Sequence, residues 1–532
     1  MAIPRQFESP KLRTIDVQLV AGRDEAWLKL KVAELGGTGW RVRPVPFQPA
    51  GPEFDVVPHS HIGPARAWDF ARQLRALDGV LDAEPTFEVL YAEPRQQDVV
   101  GTDPDITPSS RAHESLGGPG EAGNPYDWSV QLVQAEEAWA LPGGVASRGR
   151  GIRIGHPDSG YKPHPELGAS FNPALGWDFI EGHVPTENDG GDHGLGTASV
   201  ISSADNRPVR SITGIAPEAE VIPLRVTKPH GVVPAPVLFE TGADRLRDAV
   251  RYALSKQCHV ISISLGWLPH SGLHRAIQQA VSNNVIVIAA AGNYTGRIVV
   301  WPGAYPETLA LAACNAQREP WWGSARGSAV DATGPGQDVW VADASQYVRP
   351  SSGTSYAAAT VAGIAALWLA HHGRDTLLAR YQGGPTLSEV FRHVLRASCK
   401  AWNQDRGLWG AGIVNALQCL QTPLPERPSF EPGVSMAVST AEPFGAAFPA
   451  IPEPELHERL ARVLGVSRAA VPAIVAEHGR ELRFWVLTWS GLRRALAEAF
   501  VAPMESFVRM ERGTTLPRFS RGLREALDEA RD

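Results

Sequence analysis

Four short stretches of this chain carry side chains able to do acyl-transfer chemistry. In "SSGTSYAAATVAGIAALWLAHHG", residues 351 to 373, a polar Gly-Thr-Ser step opens onto a run of small apolar residues. Ser355 reads there in two ways. A serine at a helix start is commonly a cap. It is also a hydroxyl set where unpaired N–H groups and the positive end of the helix dipole favour an oxyanion beside it. "IRIGHPDSGYKPHPEL" places Asp158 just past a buried strand, in a turn marked by Ser159 and Gly160. "GDHGLGTASVISS" sets His193 beside Gly194 at the start of a small-residue helix, and "VIVIAAAGNYTG" ends a strand at Asn293. A serine hydroxyl is a weak nucleophile at neutral pH unless a base takes its proton during attack. A histidine titrates in the right range for that work and can later return the proton to a leaving amine. Asp158 would hold the ring of His193 in one tautomer, while the Ser355 N–H and the Asn293 amide would donate to the oxyanion.

These groups can meet only if the elements carrying them end on one side of the molecule. From "YDWSVQLVQAEEAWAL" to about Leu420, strands and helices alternate. "GIRIGHP", "AEVIPLRV", "HVISISLG" and "VIVIAAAGN" are continuous apolar runs, as in strands covered on both faces of a parallel sheet. "FETGADRLRDAVRYALSK" and "LHRAIQQAVSNN" read as helices between them. That is α/β architecture, and the carboxyl ends of such strands are where reacting groups collect.

Residues 14–92 read differently. "TIDVQLV", "WRVRPV", "FDVVP" and "PTFEVLYA" are strand-like, and "DEAWLKLKVAELGG" and "GPARAWDFARQLRALDG" are helix-like, the second with Ala67, Ala71, Leu74 and Leu77 on one face. The order β-α-β-β-α-β is the ferredoxin-like pattern. The chain therefore divides into a ferredoxin-like unit over 1–92, an exposed linker over 93–124, the α/β domain over 125–421, a proline-rich linker over 422–455 and a helical extension over 456–532. In the extension, Leu456, Leu460, Val463 and Leu464 mark an amphipathic stripe.

Asp158-Ser-Gly, His193-Gly, Asn293 after Ala-Ala-Gly, and Gly-Thr-Ser355 resemble the four signatures of the subtilisin-like (S8) serine proteases, in that family's order of Asp, His and Ser. The likeness covers about residues 126 to 420 and includes "GIAPEAEVIPLRV", "WPGAYPETLALAA" and "GAGIVNA". It implies a parallel sheet with helices on both faces and a serine endopeptidase working through an acyl-enzyme on Ser355. The resemblance gives Asp158, His193 and Ser355 catalytic roles, and makes Asn293 and Ser355 the oxyanion hole. Ser264, Leu265 and Gly266 match the strand that pairs with bound substrate, and Ala291 and Gly292 are expected to line the same cleft. Val300 lies near the family's primary specificity pocket, where a side chain makes the pocket shallow and apolar.

"ARQLRALDGVLDAEPTFEVLY" resembles the end of an inhibitory prodomain, so the chain's own N-terminal domain is expected in the active-site cleft, with any processing between Tyr91 and Asn124. A ferredoxin-like module with no inhibitory role is the alternative. Ala358 and Ala359 stand where the family commonly has Ser-Pro, and "HGLGTASVI" replaces the usual "HGTHVAG". Two further readings use the same residues: a maturation protease or macrocyclase, in which an amine captures the acyl-enzyme, and a catalytically silent binding module.

Composition narrows the partners. With 532 residues, 43% hydrophobic and 20% charged, the chain is long enough for two to four domains. A formal charge of −7 argues against a nucleic-acid surface. Cys258, Cys314, Cys399 and Cys419 are widely spaced and read as buried free thiols. The N-terminus lacks the apolar core of a secretory signal, and the run Tyr356 to Ala370 is too short to span a bilayer, so a cytoplasmic protein without a membrane partner is expected. Protein or peptide substrates are expected, and the extension is a candidate docking element for a regulatory protein. No cofactor is required by this chemistry. Structural calcium is common in the family, but its ligands do not map onto this sequence residue by residue. His59 and His61 read as a loop pair, Asp189 and Asp192 as loop solvation, and His371 and His372 as the end of the serine helix, near its dipole.

Overall fold

The computed structural model describes residues 10–48, 52–92, 125–141, 148–185, 191–204, 211–230, 238–266, 268–293, 296–427, 453–488 and 517–531. They fall into two compact units, one formed by Val89–Val434 and one by Arg5–Glu88 with Ser435–Asp532.

The smaller unit begins with β1 (Lys11–Leu19), α1 (Glu25–Glu34), β2 (Arg41–Pro44), β3 (Glu53–Val57), α2 (Pro64–Arg75) and β4 (Val80–Ala92). The sheet order β2-β3-β1-β4, antiparallel throughout, is ferredoxin-like. Alternation along β1 buries Ile15, Val17 and Leu19 with Leu28 and Val32 of α1 and with Ala67, Ala71 and Leu74 of α2. The Asp24 carboxylate caps α1 by accepting from the Trp27 N–H at 2.9 Å. β4 starts five residues before "PTFEVLYA", because residues 80–84 already pair with β1, Ala83 opposite Val17. Its last four residues, 89–92, belong to the larger unit.

In the larger unit seven described strands run parallel. In chain order they are β5 (Arg153–Asp158), β6 (Trp177–Asp178), β7 (Glu220–Arg225), β10 (Val260–Ile263), β11 (Ile286–Ala290), β12 (Leu309–Cys314) and β13 (Val330–Pro335). Their spatial order is β13-β12-β11-β10-β5-β7-β6. β8 (Lys228–His230) and β9 (Leu238–Thr241) form a hairpin, and residues 89–92 pair antiparallel with β9, Val89 opposite Thr241. The helix expected from Phe239 begins only after Gly242, as α4 (Ala243–Ser255), because residues 238–241 are taken up by that pairing. α3 (Asp192–Ser202), α5 (Ser271–Ser282) and α6 (Thr354–His372) complete what the site needs. α6 is buried all round from Thr354 to Leu369, which small side chains permit.

The C-terminal helices α7 (Glu453–Leu464), α8 (Val471–Thr488) and α9 (Arg521–Glu529) return to the smaller unit. Leu456, Leu460 and Leu464 are buried as the stripe requires. Arg480 of α8 donates to Asp82 of β4 at 2.6 Å, and the Phe484 ring packs tilted against Phe87 and Trp68 at 4.6 and 5.9 Å between centroids. The first turn of α9 sits on Asp69 of α2, which accepts from the Arg521 and Gly522 N–H groups at 2.8 and 2.9 Å. The segments read from sequence as separate ends of the chain, 1–92 and 456–532, thus share one core.

Candidate active site

Asp158 is the last residue of β5 and is buried. Its Oδ1 accepts from the Ser159 N–H at 2.6 Å and lies 2.7 Å from His193 Nδ1, while Oδ2 accepts from the Thr197 hydroxyl at 3.2 Å. Burial pushes this carboxyl's pKa up. The His193 ring, its hydrogen bond, the His156 ring and the Ser159 N–H together outweigh burial and hold it below the ordinary carboxylate value.

His193 is the second residue of α3. Its Nε2 lies 3.1 Å from Ser355 Oγ, and the side chain is 19% exposed against 1% for Asp158. The following Gly194 has a steric reason: a Cβ there would stand 2.1 Å from the Gly160 carbonyl oxygen. The first turn of α3 can press against the chain leaving Asp158 only without that carbon, and this approach sets the His193–Asp158 bond.

Ser355 is the second residue of α6, in the turn whose N–H groups have no intrahelical acceptor. Its Oγ also lies 3.2 Å from the Ser264 carbonyl, and the Ser264 hydroxyl donates back to the Ser355 carbonyl at 3.0 Å. Asn293 follows β11. Its Oδ1 accepts from both the Thr354 N–H and the Thr354 hydroxyl at 2.9 Å, which turns Nδ2 the other way. A Cβ on Gly353 would lie 3.4 Å from Asn293 Nδ2 and 3.7 Å from the Ser355 nitrogen. The space kept clear by Gly353 is therefore flanked by two donors, the geometry an oxyanion needs.

Ser264, Leu265 and Gly266 leave β10, and Ala291 and Gly292 leave β11. The Val300 N–H donates to the Ala291 carbonyl at 2.9 Å, and a Cβ on Gly266 would come within 2.6 Å of Val300 Cγ2. Val300 thus packs against both segments.

Other residues singled out from the sequence lie elsewhere. His59 and His61 are exposed, and Asp192 is exposed at the start of α3, where its charge suits the helix dipole. Asp189, the 93–124 linker and most of the 422–455 linker lie outside the described residues. Burial pushes His372 down to about 4, so this ring is neutral near pH 7 and offers the α6 dipole no cation. Burial also pushes all four thiols up to about 12. Among the described residues no group of three or more His, Cys, Asp or Glu is placed to hold a metal, and no helix is long and apolar enough to cross a membrane.

The sequence reading missed Thr354, which orients Asn293, and the pair Thr197 and His156 behind Asp158. The sign was there in one case: His156 stands two residues before Asp158 in an apolar strand, and a period of two puts both on one face.

A hydroxyl, an imidazole and a buried carboxylate in one hydrogen-bonded row, with two donors flanking the space at Gly353, can attack a carbonyl and stabilise the resulting oxyanion. This is the equipment of a serine hydrolase. Residues 149–401 match the family described as Subtilase family. Thermitase of Thermoactinomyces vulgaris is 31% identical over 297 residues, 55% of this chain and 95% of the relative. Subtilisin Savinase of Lederbergia lenta is 28% identical over 291 residues, 54% of this chain and 96% of the relative. An intracellular serine protease of Paenibacillus polymyxa is 29% identical over 257 residues, 45% of this chain and 71% of the relative. The chain belongs to the subtilase family and is a subtilisin-like serine endopeptidase.

Proposed function

We propose that the protein cleaves peptide bonds through an acyl-enzyme on Ser355, with His193 as base and then acid, Asp158 orienting His193, and the Ser355 N–H and Asn293 Nδ2 receiving the oxyanion. The observation carrying this reading is the row from Ser355 Oγ to His193 to Asp158, at 3.1 and 2.7 Å. Substrate would lie along 264–266 and 291–292. With Val300 packed against both segments, a small apolar residue suits the acyl side of the cut.

The N-terminal unit acts as a restraint in this proposal. Support comes from residues 89–92, which continue β4 into the larger unit as an added strand on β9; strand addition secures a segment through backbone bonds without demanding particular side chains. A cut within 93–124 would not shed the restraint, because α7, α8 and α9 complete the unit that β1 to β4 begin.

Intact mass over time, for wild type beside Ser355→Ala, tests these assignments together with labelling by a fluorophosphonate. Wild type alone should be labelled, and any cut fragment should co-elute with the rest of the chain under native conditions. Absence of labelling in wild type would favour a silent binding module. An amine-captured product in place of free acid would favour the macrocyclase. Freely dissociating fragments would overturn the retained restraint.

A further inference from the structure

Behind the row just described lies a second one that the proposed roles do not use. His156 lies in β5, two residues before Asp158, and its side chain is 1% exposed. Its Nε2 lies 2.9 Å from Thr197 Oγ1, and Thr197 Oγ1 lies 3.2 Å from Asp158 Oδ2. Thr197 is one turn after His193 on α3, so both ends of the His193–Asp158 bond are tied to the same two elements.

We propose that Thr197 and His156 are positioning residues that fix the Asp158 carboxylate from behind, so that Oδ1 faces His193. The assignment of protons follows from the acceptors. The Thr197 hydroxyl has one hydrogen and three oxygens in reach: Asp158 Oδ2, the His193 carbonyl at 3.0 Å and the Gly194 carbonyl at 3.3 Å. A charged carboxylate is the strongest of these acceptors. If His156 Nε2 accepted from Thr197, that hydrogen would turn away and leave two oxygens facing one another across 3.2 Å. With Nε2 protonated, His156 donates to Thr197 and Thr197 donates to Asp158, so each contact is satisfied and both N–H and O–H dipoles point toward the charge. Burial holds the His156 ring below its ordinary pKa, against the pull of Asp158 and with help from His193, so a neutral donor is the form present near pH 7.

Fixing Oδ2 leaves Oδ1 to two donors, the Ser159 N–H and His193 Nδ1. A carboxylate without the Thr197 bond can rotate about its Cβ–Cγ bond and misdirect the base. Such a loss changes turnover rather than substrate binding, because neither Thr197 nor His156 reaches the 264–266 or 291–292 segments by any hydrogen bond described above.

This inference rests on the triad roles proposed above. The test is steady-state hydrolysis of a short chromogenic peptide by the full chain, with melting temperature measured in parallel. Thr197→Val should lower kcat about tenfold to a hundredfold with KM within about twofold, as for a lost bond to a charged group. Thr197→Ser, which keeps the hydroxyl, should restore most of it. His156→Leu should lower kcat, and His156→Gln, which keeps an N–H at that reach, should lower it less. The double variant Thr197→Val with His156→Leu should be no slower than Thr197→Val alone, since the two act in series. Wild-type turnover in Thr197→Val, failure of Ser to rescue, or a loss confined to KM or to folded fraction would overturn the proposal. If Thr197→Val does not fold, equal kcat for His156→Leu and His156→Gln overturns it by itself. A wild type that neither turns over peptide nor reacts with the fluorophosphonate would instead bring down the triad roles, and this inference with them.

Discussion

The two units solve packing in opposite ways. In the larger unit the core around α6 is made of small residues: Ala357, Ala358, Ala359, Ala362, Ala365 and Ala366 are all fully buried. Glycines let elements close in there, Gly334 on Ala357 and Gly363 on the Ile215 side chain. In the smaller unit the join between its two segments is aromatic, with Trp68, Phe87, Phe484, Trp485 and Phe519 in successive contact. Small residues bring elements close enough for their ends to hold reacting atoms at hydrogen-bond distance. Large rings instead bury much area per residue, which suits a union of segments that meet across nearly the whole chain.

That contrast can be broken most strongly at Phe484. Phe484→Ala should cost the smaller unit about 3–5 kcal/mol, seen as an earlier melting transition, while peptide hydrolysis by the larger unit holds or rises as the proposed restraint loosens. Loss of hydrolysis in step with melting would mean that the two units do not fold independently. In the larger unit a change of similar size should appear in turnover alone. Asn293→Asp keeps the acceptor that Thr354 uses and replaces the Nδ2 donor, so kcat should fall roughly 10²- to 10³-fold, a range measured on a subtilisin, with little change in melting temperature. An equal drop in stability would make Asn293 structural.

Acid should also separate the two units. Burial, aided by Arg374 and Arg153, pushes His259 down to about 4, and burial does the same to His372. In the unfolded chain both titrate near 6.5, so between 6.5 and 4 the unfolded state binds more protons and the larger unit loses stability as pH falls. In the smaller unit burial raises Glu481 despite its bonds to Ser520, whereas burial lowers His478. A raised carboxyl stabilises below its unfolded pKa and loses that as pH rises, opposite to the histidine, so the smaller unit's melting should shift less across this window. Differential scanning calorimetry from pH 7 to 4 checks the difference, and equal shifts would cancel it.

Legibility followed the same divide. Asp158, His193, Asn293 and Ser355 stood out because each sits at a strand end or helix start with glycine within two residues, and such glycines answer to close approaches such as Gly194 on Gly160. Strands buried on both faces were readable from apolar runs alone. The β8–β9 hairpin was not, because residues 238–241 carry no alternating pattern and gain their partner from residues 89–92, far away in sequence. The stripe of Leu456, Leu460 and Leu464 showed that the tail buries a face, but nothing local to it names β4 and α2 as its unit. Thr197 is an ordinary helix residue until the fold brings it to the carboxylate, whereas the spacing of two between His156 and Asp158 in β5 was a sign the sequence offered.

The larger unit is inserted within the smaller one, and this orders events during synthesis. Arg480 and Asp82 are 398 positions apart. At about 5–20 residues per second, a ribosome needs roughly 20–80 s to cover that distance. Throughout that interval the endopeptidase half of the chain can emerge and fold, while Trp68 and Phe87 wait for Phe484. A nascent chain interrupted after residue 427 therefore carries the whole row proposed to be catalytic and only half of the unit proposed to restrain it.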